Sequence, residues 1–229
     1  MESHWFFLIL TALVLGIRHG FDLDHLATID AITRTVRDNR ILSKFVGFFF
    51  SLGHGLVVIL ISLIIGSGIV QVHAPEWLGG FGRWLSIFFL LVFGLLNLYN
   101  VFQTPSDEAM CIGLKSFLAK RITPNRCKPR TIMSIGALFA LSFDTVSQIA
   151  LFGVAASLSL GSLFSGVLGL FFTLGMMIAD GLNGWIVAWL IQRADKTSLI
   201  FSRGLGLAIS IFSLWIGGRA LFEALPSIF

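Results

Sequence analysis

Six apolar runs, at about 5–28, 45–70, 84–102, 131–156, 163–190 and 204–223, take up most of the 229 residues of this chain. A helix needs roughly 20 predominantly apolar residues to cross about 30 Å of hydrocarbon, and each run meets or approaches that length. A soluble fold of this size would leave such segments as large apolar patches in water. The pattern predicts an all-α, polytopic membrane protein with six transmembrane helices in a single domain over 1–229, whose one long connection lies at 103–130. The 24 glycines fall mostly inside the runs, which suits close packing of helices in lipid. The opening MESHWFF has neither a basic n-region nor a small-residue cleavage site, so the first run is expected to stay in the protein.

Basic residues next to helix ends are retained on the cytoplasmic side. Most of the chain's 16 lysines and arginines sit in three alternate connections. Arg34, Arg37, Arg40 and Lys44 are in the first, Lys115, Lys120, Arg121, Arg126, Lys128 and Arg130 in the second, and Arg193, Lys196 and Arg203 in the third. The other side has only Arg83 and Arg219, so both termini are predicted on the outer face of a cell membrane. The net charge of +4 is then a topology signal and gives no ground for a nucleic-acid partner. Cys111 and Cys127 fall in the long cytoplasmic connection, where free thiols are expected rather than a disulfide.

The chain also resembles itself. SFDTVSQIA at 142–150 echoes GFDLDHLAT at 20–28, and FFTLGMMIAD at 171–180 echoes FFSLGHGLVV at 49–58; Phe21 to Phe143 and Phe49 to Phe171 both span an offset of 122. IFFLLVFG at 87–94 and IFSLWIGG at 211–218 give a weaker third match. Runs one to three (about 5–102) and four to six (about 131–223) thus read as two copies of one unit with an odd number of crossings. Such copies must be inverted in the membrane, a construction of secondary transporters with the substrate site near the midplane.

Polar residues converge at that depth. An ionised side chain at mid-bilayer costs at least about 2.5–3.5 kcal/mol, which makes His19, Asp22, Asp24, His25 and His54 functional candidates. On an unbroken helix His19, Asp22 and His25 share a sector of about 120°, while Asp24 faces nearly the other way. Either Gly16 and Gly20 allow the helix to distort, or Asp24 supports the site from behind or meets another helix. Imidazoles with carboxylates suit Ni(II), Co(II) or Zn(II) and suit Cu(I) poorly. The plainer alternative for Asp22 is a helix-stabilising pair with Arg18. Asp144, Thr145, Ser147 and Gln148 correspond to the first cluster through the repeat, and Asp180 and Asn183 follow the echo in the fifth run, giving a second-half substrate pathway. Thr145, Ser147 and Asn183 are equally compatible with helix packing, and Met176 and Met177 with filling. Asp30 and Asp38, with basic neighbours, are expected to be solvated, and His4 and His73 to be surface residues.

RHGFDLDH resembles the His-x4-Asp-His signature of the nickel/cobalt transporter family. FFSLGHG, FDTVSQ and GMMIADGLNG are similar to that family's further blocks, in the same order across most of the chain. The resemblance implies a Ni(II) or Co(II) permease with His19, Asp24 and His25 at the core of the metal site and His54 close by. It points to the shorter six-helix branch that includes urease-associated permeases. Gln148 stands where the family often has glutamate, and Asn183 where it often has a second aspartate.

No nucleotide-binding loop is present in the sequence, so gradients, an attached partner or the membrane potential itself must drive any transport. The ion is cargo, no resident cofactor is expected, and the lipid bilayer is the other partner. Alternating access of two inverted halves around a dehydrated ion is the mechanism this implies, with import favoured and efflux the alternative. An intramembrane metalloenzyme would need a general base and a His-Glu-x-x-His type helix, and a haem carrier would leave the aspartates without a purpose.

Overall fold

A computed structural model describes residues 2–68, 76–102, 128–141, 146–157, 161–193 and 196–225, and every regular element among them is helical. In chain order these are α1 (Glu2–Gly20), α2 (Leu23–Thr35), α3 (Arg40–Lys44), α4 (Val46–Gly66), α5 (Glu76–Phe102), α6 (Pro129–Phe139), α7 (Val146–Ser157), α8 (Ser162–Gln192) and α9 (Lys196–Ala224). By unbroken length and apolar composition, Val46–Gly66, Ser162–Gln192 and Ile200–Ala224 can each cross a membrane. A fourth candidate is the bent pair formed by His4–Gly20 and Leu23–Thr35, and Arg83–Tyr99 forms a shorter apolar stretch within α5.

The first apolar run is not one helix. α1 and α2 meet at 57° across Phe21 and Asp22, which replaces the unbroken helix on which the sector geometry above was drawn. Asp22 adopts extended backbone (φ −64°, ψ 143°) as the residue before α2. The charges fit the break. Arg18 and His19 occupy the last turn of α1, where the helix dipole favours cations, and Asp24 the first turn of α2, where it favours anions. The fourth run is likewise divided, into α6 and α7, with 142–145 outside the described residues.

Glycines set how closely the helices approach. A Cβ at Gly16 would strike the main-chain carbonyl of Phe172, and one at Gly175 that of Leu13, so α1 and α8 touch backbone to backbone. α6 meets α4 in the same manner, Gly136 against the carbonyl of Phe50 and Gly53 against that of Met133. Between these pairs α4 and α8 run antiparallel along their length, since Gly47 faces Asp180, Gly55 faces Thr173, Gly169 faces Ser62 and Gly66 faces Ser165. α5 and α9 are also antiparallel, Gly94 opposite Leu214 and Gly217 opposite Leu90. α2 inserts among α5, α8 and α9.

Two apolar clusters flank the centre. One gathers Ile29, Phe50, Phe89, Phe93, Ile132 and Phe139, with Phe89 and Phe139 stacked at 3.9 Å between ring centroids. The other gathers Ala12, Val58, Leu151, Leu168 and Phe172. Outward-facing side chains such as Ile64, Leu170, Phe201, Phe212 and Trp215 remain exposed, as a lipid-facing surface requires.

Candidate metal centre

The break at Gly20 turns the residues on either side of it toward one point. His19 ends α1, His25 lies in the first turns of α2, and His54 sits in the middle of α4; each is 1% exposed. Their ring centroids stand 4.6 Å (His19 and His25), 5.0 Å (His19 and His54) and 5.0 Å (His25 and His54) apart. One nitrogen from each lies within 4.8 Å of the other two, and among the described residues this is the group of potential ligands that could hold a metal ion. Gly20 permits the arrangement, because a Cβ there would lie 2.7 Å from that of Ala179 and 3.2 Å from Asp180 Oδ1.

Carboxylates decide which nitrogen two of the three rings offer. His19 Nδ1 is 3.0 Å from Asp22 Oδ2, and His25 Nδ1 is 3.1 Å from Asp180 Oδ2. An imidazole that donates Nδ1–H to a carboxylate presents a lone pair at Nε2, the usual arrangement of a metal-bound histidine. His19 Nε2 and His54 Nε2 face each other at 3.3 Å. Two imidazole nitrogens bound tetrahedrally at about 2.0–2.1 Å, the zinc distance, stand roughly 3.4 Å apart, so this spacing suits one shared ion. Two aromatic rings wall the cluster, Phe172 at 5.3 Å from His19 and Phe50 at 5.0 Å from His25.

Of the five residues singled out at the first cluster, the three histidines come together and Asp22 contacts one of them. Asp24 turns back to its own helix, its Oδ1 accepting the His25 main-chain N–H at 2.9 Å. The Arg18–Asp22 pair is absent from the described contacts: Arg18 instead donates to Ser147 Oγ at 2.9 Å, joining α1 to α7. In the second half Asp180 is fully buried against His25. Gln148 Nε2 donates to the Ala140 carbonyl at 3.1 Å, and Asn183 has a buried Nδ2 with no hydrogen-bond partner. Asp144, Thr145, His73, Cys111 and Cys127 lie outside the described residues. Met176 is buried, Met177 half-buried and His4 exposed.

The expectation that Asp30 is solvated is overturned: it is fully buried, and Arg34 Nε donates to its Oδ2 at 2.8 Å while Arg34 also reaches Ser202 on α9. Packing of α2 between α5 and α9 carries this residue inward. Asp38 is exposed, as expected. Ser51, whose hydroxyl lies 2.6 Å from Asp180 Oδ2, was not anticipated. Its signal was its place in FFSLGHG, one turn before His54 on the same helix.

A helical, apolar chain with a buried trihistidine cluster backed by carboxylates defines a membrane protein with a candidate transition-metal site. Residues 5–224 match the NicO family, described as high-affinity nickel-transport protein. Over 93% of this chain and 73% of its own length, the high-affinity nickel-transport protein NixA of Helicobacter pylori is 35% identical. The high-affinity nickel transport protein of Cupriavidus necator is 30% identical over 91% of this chain and 68% of its own. The cobalt transport protein NhlF of Rhodococcus rhodochrous is 28% identical over 94% and 70%. No solved structure matches. The chain belongs to the NicO family of nickel/cobalt permeases, and is a multi-pass membrane transport protein rather than an enzyme.

Proposed function

We propose that the protein carries Ni(II), and Co(II) as a second substrate, across the cell membrane into the cytoplasm. The observation that carries this reading is the cluster of His19, His25 and His54, one nitrogen of each within 4.8 Å of the other two, with two of the three rings held by Asp22 and Asp180. Three neutral nitrogens bind the stripped ion, and nearby carboxylates offset its charge. Nitrogen donors select borderline ions such as nickel and cobalt over magnesium and calcium, which prefer oxygen. Asp22 and Asp180 orient the rings, while Asp24 steadies the first turn of α2.

Alternating access of two inverted halves is supported by the matched glycine contacts, Gly16 and Gly175 joining α1 to α8 as Gly136 and Gly53 join α6 to α4. Under this reading the six apolar runs are six crossings, with both termini outside. Ser147, Gln148 and Asn183 line the pathway contributed by the second half, and Asp144 and Thr145 are assigned to it from the sequence repeat alone. At about 2.3 kcal/mol per charge per 100 mV, a dication gains roughly 4.6 kcal/mol on moving inward, enough for about a thousandfold accumulation without a coupling ion.

Uptake of radioactive nickel tests both activity and direction. Cells making the protein should accumulate more than empty cells, and His19→Ala or His54→Ala should return them to the empty-cell level. Accumulation below that level would establish export instead. Unlabelled cobalt should compete.

A further inference from the structure

Ser51 lies on α4, one turn after Gly47 and one turn before His54. A Cβ at Gly47 would strike the main-chain carbonyl of Asp180, so α4 and α8 are in backbone contact at this level. That approach lets a side chain as short as serine reach the Asp180 carboxylate. Ser51 Oγ stands 2.6 Å from Asp180 Oδ2 and 2.9 Å from the Gly47 carbonyl, with Ser51 fully buried. A hydroxyl has one hydrogen to donate. The shorter, charge-assisted bond to the carboxylate is the stronger of the two.

The two carboxylates behind the cluster are therefore held differently. Asp22 is 29% exposed and can be solvated by water, whereas Asp180 is sealed, and its described side-chain hydrogen bonds go to His25 and Ser51. The repeat gives a comparison: Thr173, 122 positions after Ser51, bonds back to the Gly169 carbonyl at 2.8 Å but meets Gly55 rather than a carboxylate. Among the described residues the hydroxyl-to-carboxylate contact belongs to one half, and the Thr173 side chain has its room opposite Gly55.

We propose that Ser51 is a positioning residue of the metal site, fixing Asp180 so that His25 keeps Nδ1–H on the carboxylate and Nε2 on the ion. This rests on the trihistidine reading above and adds a third helix to the support of His25. Without the hydroxyl, Asp180 can rotate, His25 loses its fixed direction, and the ligand geometry around the ion changes.

The test uses the purified full chain in detergent, with Ni(II) affinity from calorimetric titration and ligand geometry from the visible absorption of bound Co(II). Ser51→Ala should weaken Ni(II) binding by up to about 10-fold, the lower end of the range for a lost direct partner of a metal ligand because Ser51 acts one contact further out, and should change the Co(II) bands. Ser51→Thr should restore both. Ser62→Ala, which removes another buried serine of α4 whose hydroxyl has no partner, should match the unmodified protein. The inference is overturned if Ser51→Ala leaves affinity and bands unchanged, if Ser51→Thr fails as Ser51→Ala does, or if Ser62→Ala causes an equal loss. Absence of Ni(II) and Co(II) binding in the unmodified protein would instead reject the trihistidine reading.

Discussion

His25 Nδ1 lies 3.1 Å from Asp180 Oδ2 although the two residues are 155 positions apart, so a ring from the first half of the chain is aimed by a carboxylate from the second. His19 is aimed locally, by Asp22 three residues on. The contrast sets an order of sensitivity. Asp180→Asn should weaken Ni(II) binding toward the upper part of a roughly 10–100-fold range, because an amide in a sealed site can present its NH2 group to Nδ1 and reverse the tautomer. Asp22→Asn should cost toward the lower part, since water reaches that side chain and can replace the acceptor. Titration of both variants in detergent checks the order, and equal losses would remove exposure as its cause.

Under the proposed reading His54 is the ligand that α4 contributes, and among the described residues no carboxylate orients it: its Nδ1 is buried without a hydrogen-bond partner. Replacing it removes a donor from the ion and adds no unpaired acid to the core. His54→Ala should therefore abolish measurable Ni(II) binding while the protein still extracts and unfolds as a folded helical membrane protein, followed by circular dichroism. His4→Ala, at an exposed position of α1, should bind as before. Retained binding in His54→Ala would reduce the site to α1 and α2.

The helical class and the site histidines were legible because lipid imposes simple rules: long apolar runs become helices, and ionisable groups within them need a purpose. A distortion at Gly16 and Gly20 was one of the alternatives the sequence left open, and the chain breaks after Gly20. Apolar periodicity continues through FDL, and it is the contact of Gly20 with α8, a tertiary fact, that makes bending favourable. Asp30 was misjudged for a related reason. Its basic neighbours resemble those of a solvated helix end, yet the same Arg34 that suggested solvent neutralises the carboxylate inside the fold. Asp180 could be found through the repeat but its partner could not, since an offset of 122 maps it to Val58, which has no polar group.

The Asp30–Arg34 pair yields an energetic prediction. Removing one member of a buried pair costs about 3–5 kcal/mol, chiefly because the other charge is left without compensation. Asp30→Asn retains hydrogen-bonding capacity and should fall below that range, while Asp30→Leu should reach it. Arg34→Gln combined with Asp30→Asn should destabilise by less than the sum of the two changes, with a coupling of about 0.5–3 kcal/mol. Thermal unfolding of Asp30→Leu, of the single variants Asp30→Asn and Arg34→Gln and of the double variant in detergent measures it. Strict additivity would mean that Arg34 acts independently of Asp30.

Close approach at the glycines makes the last prediction. Alanine is favoured over glycine inside a helix by about 0.5–1 kcal/mol, so Gly153→Ala, with open space around its Cβ position, should stabilise slightly. Gly16→Ala has the same intrinsic gain, yet its Cβ would occupy the place of the Phe172 carbonyl, and forced overpacking costs about 1–3 kcal/mol. The net change should be destabilising, and it should also reach the metal. Phe172 packs its ring 5.3 Å from that of His19, so displacing α8 at this residue moves one wall of the cluster. Gly16→Ala should then lower both the unfolding temperature and the Ni(II) affinity, Gly136→Ala should do the same through Phe50 and His25, and Gly153→Ala should leave affinity alone. Thermal unfolding and Ni(II) titration of the three proteins provide the comparison; unchanged affinity in Gly16→Ala and Gly136→Ala would show that the helix crossings support the fold without setting the geometry of the site.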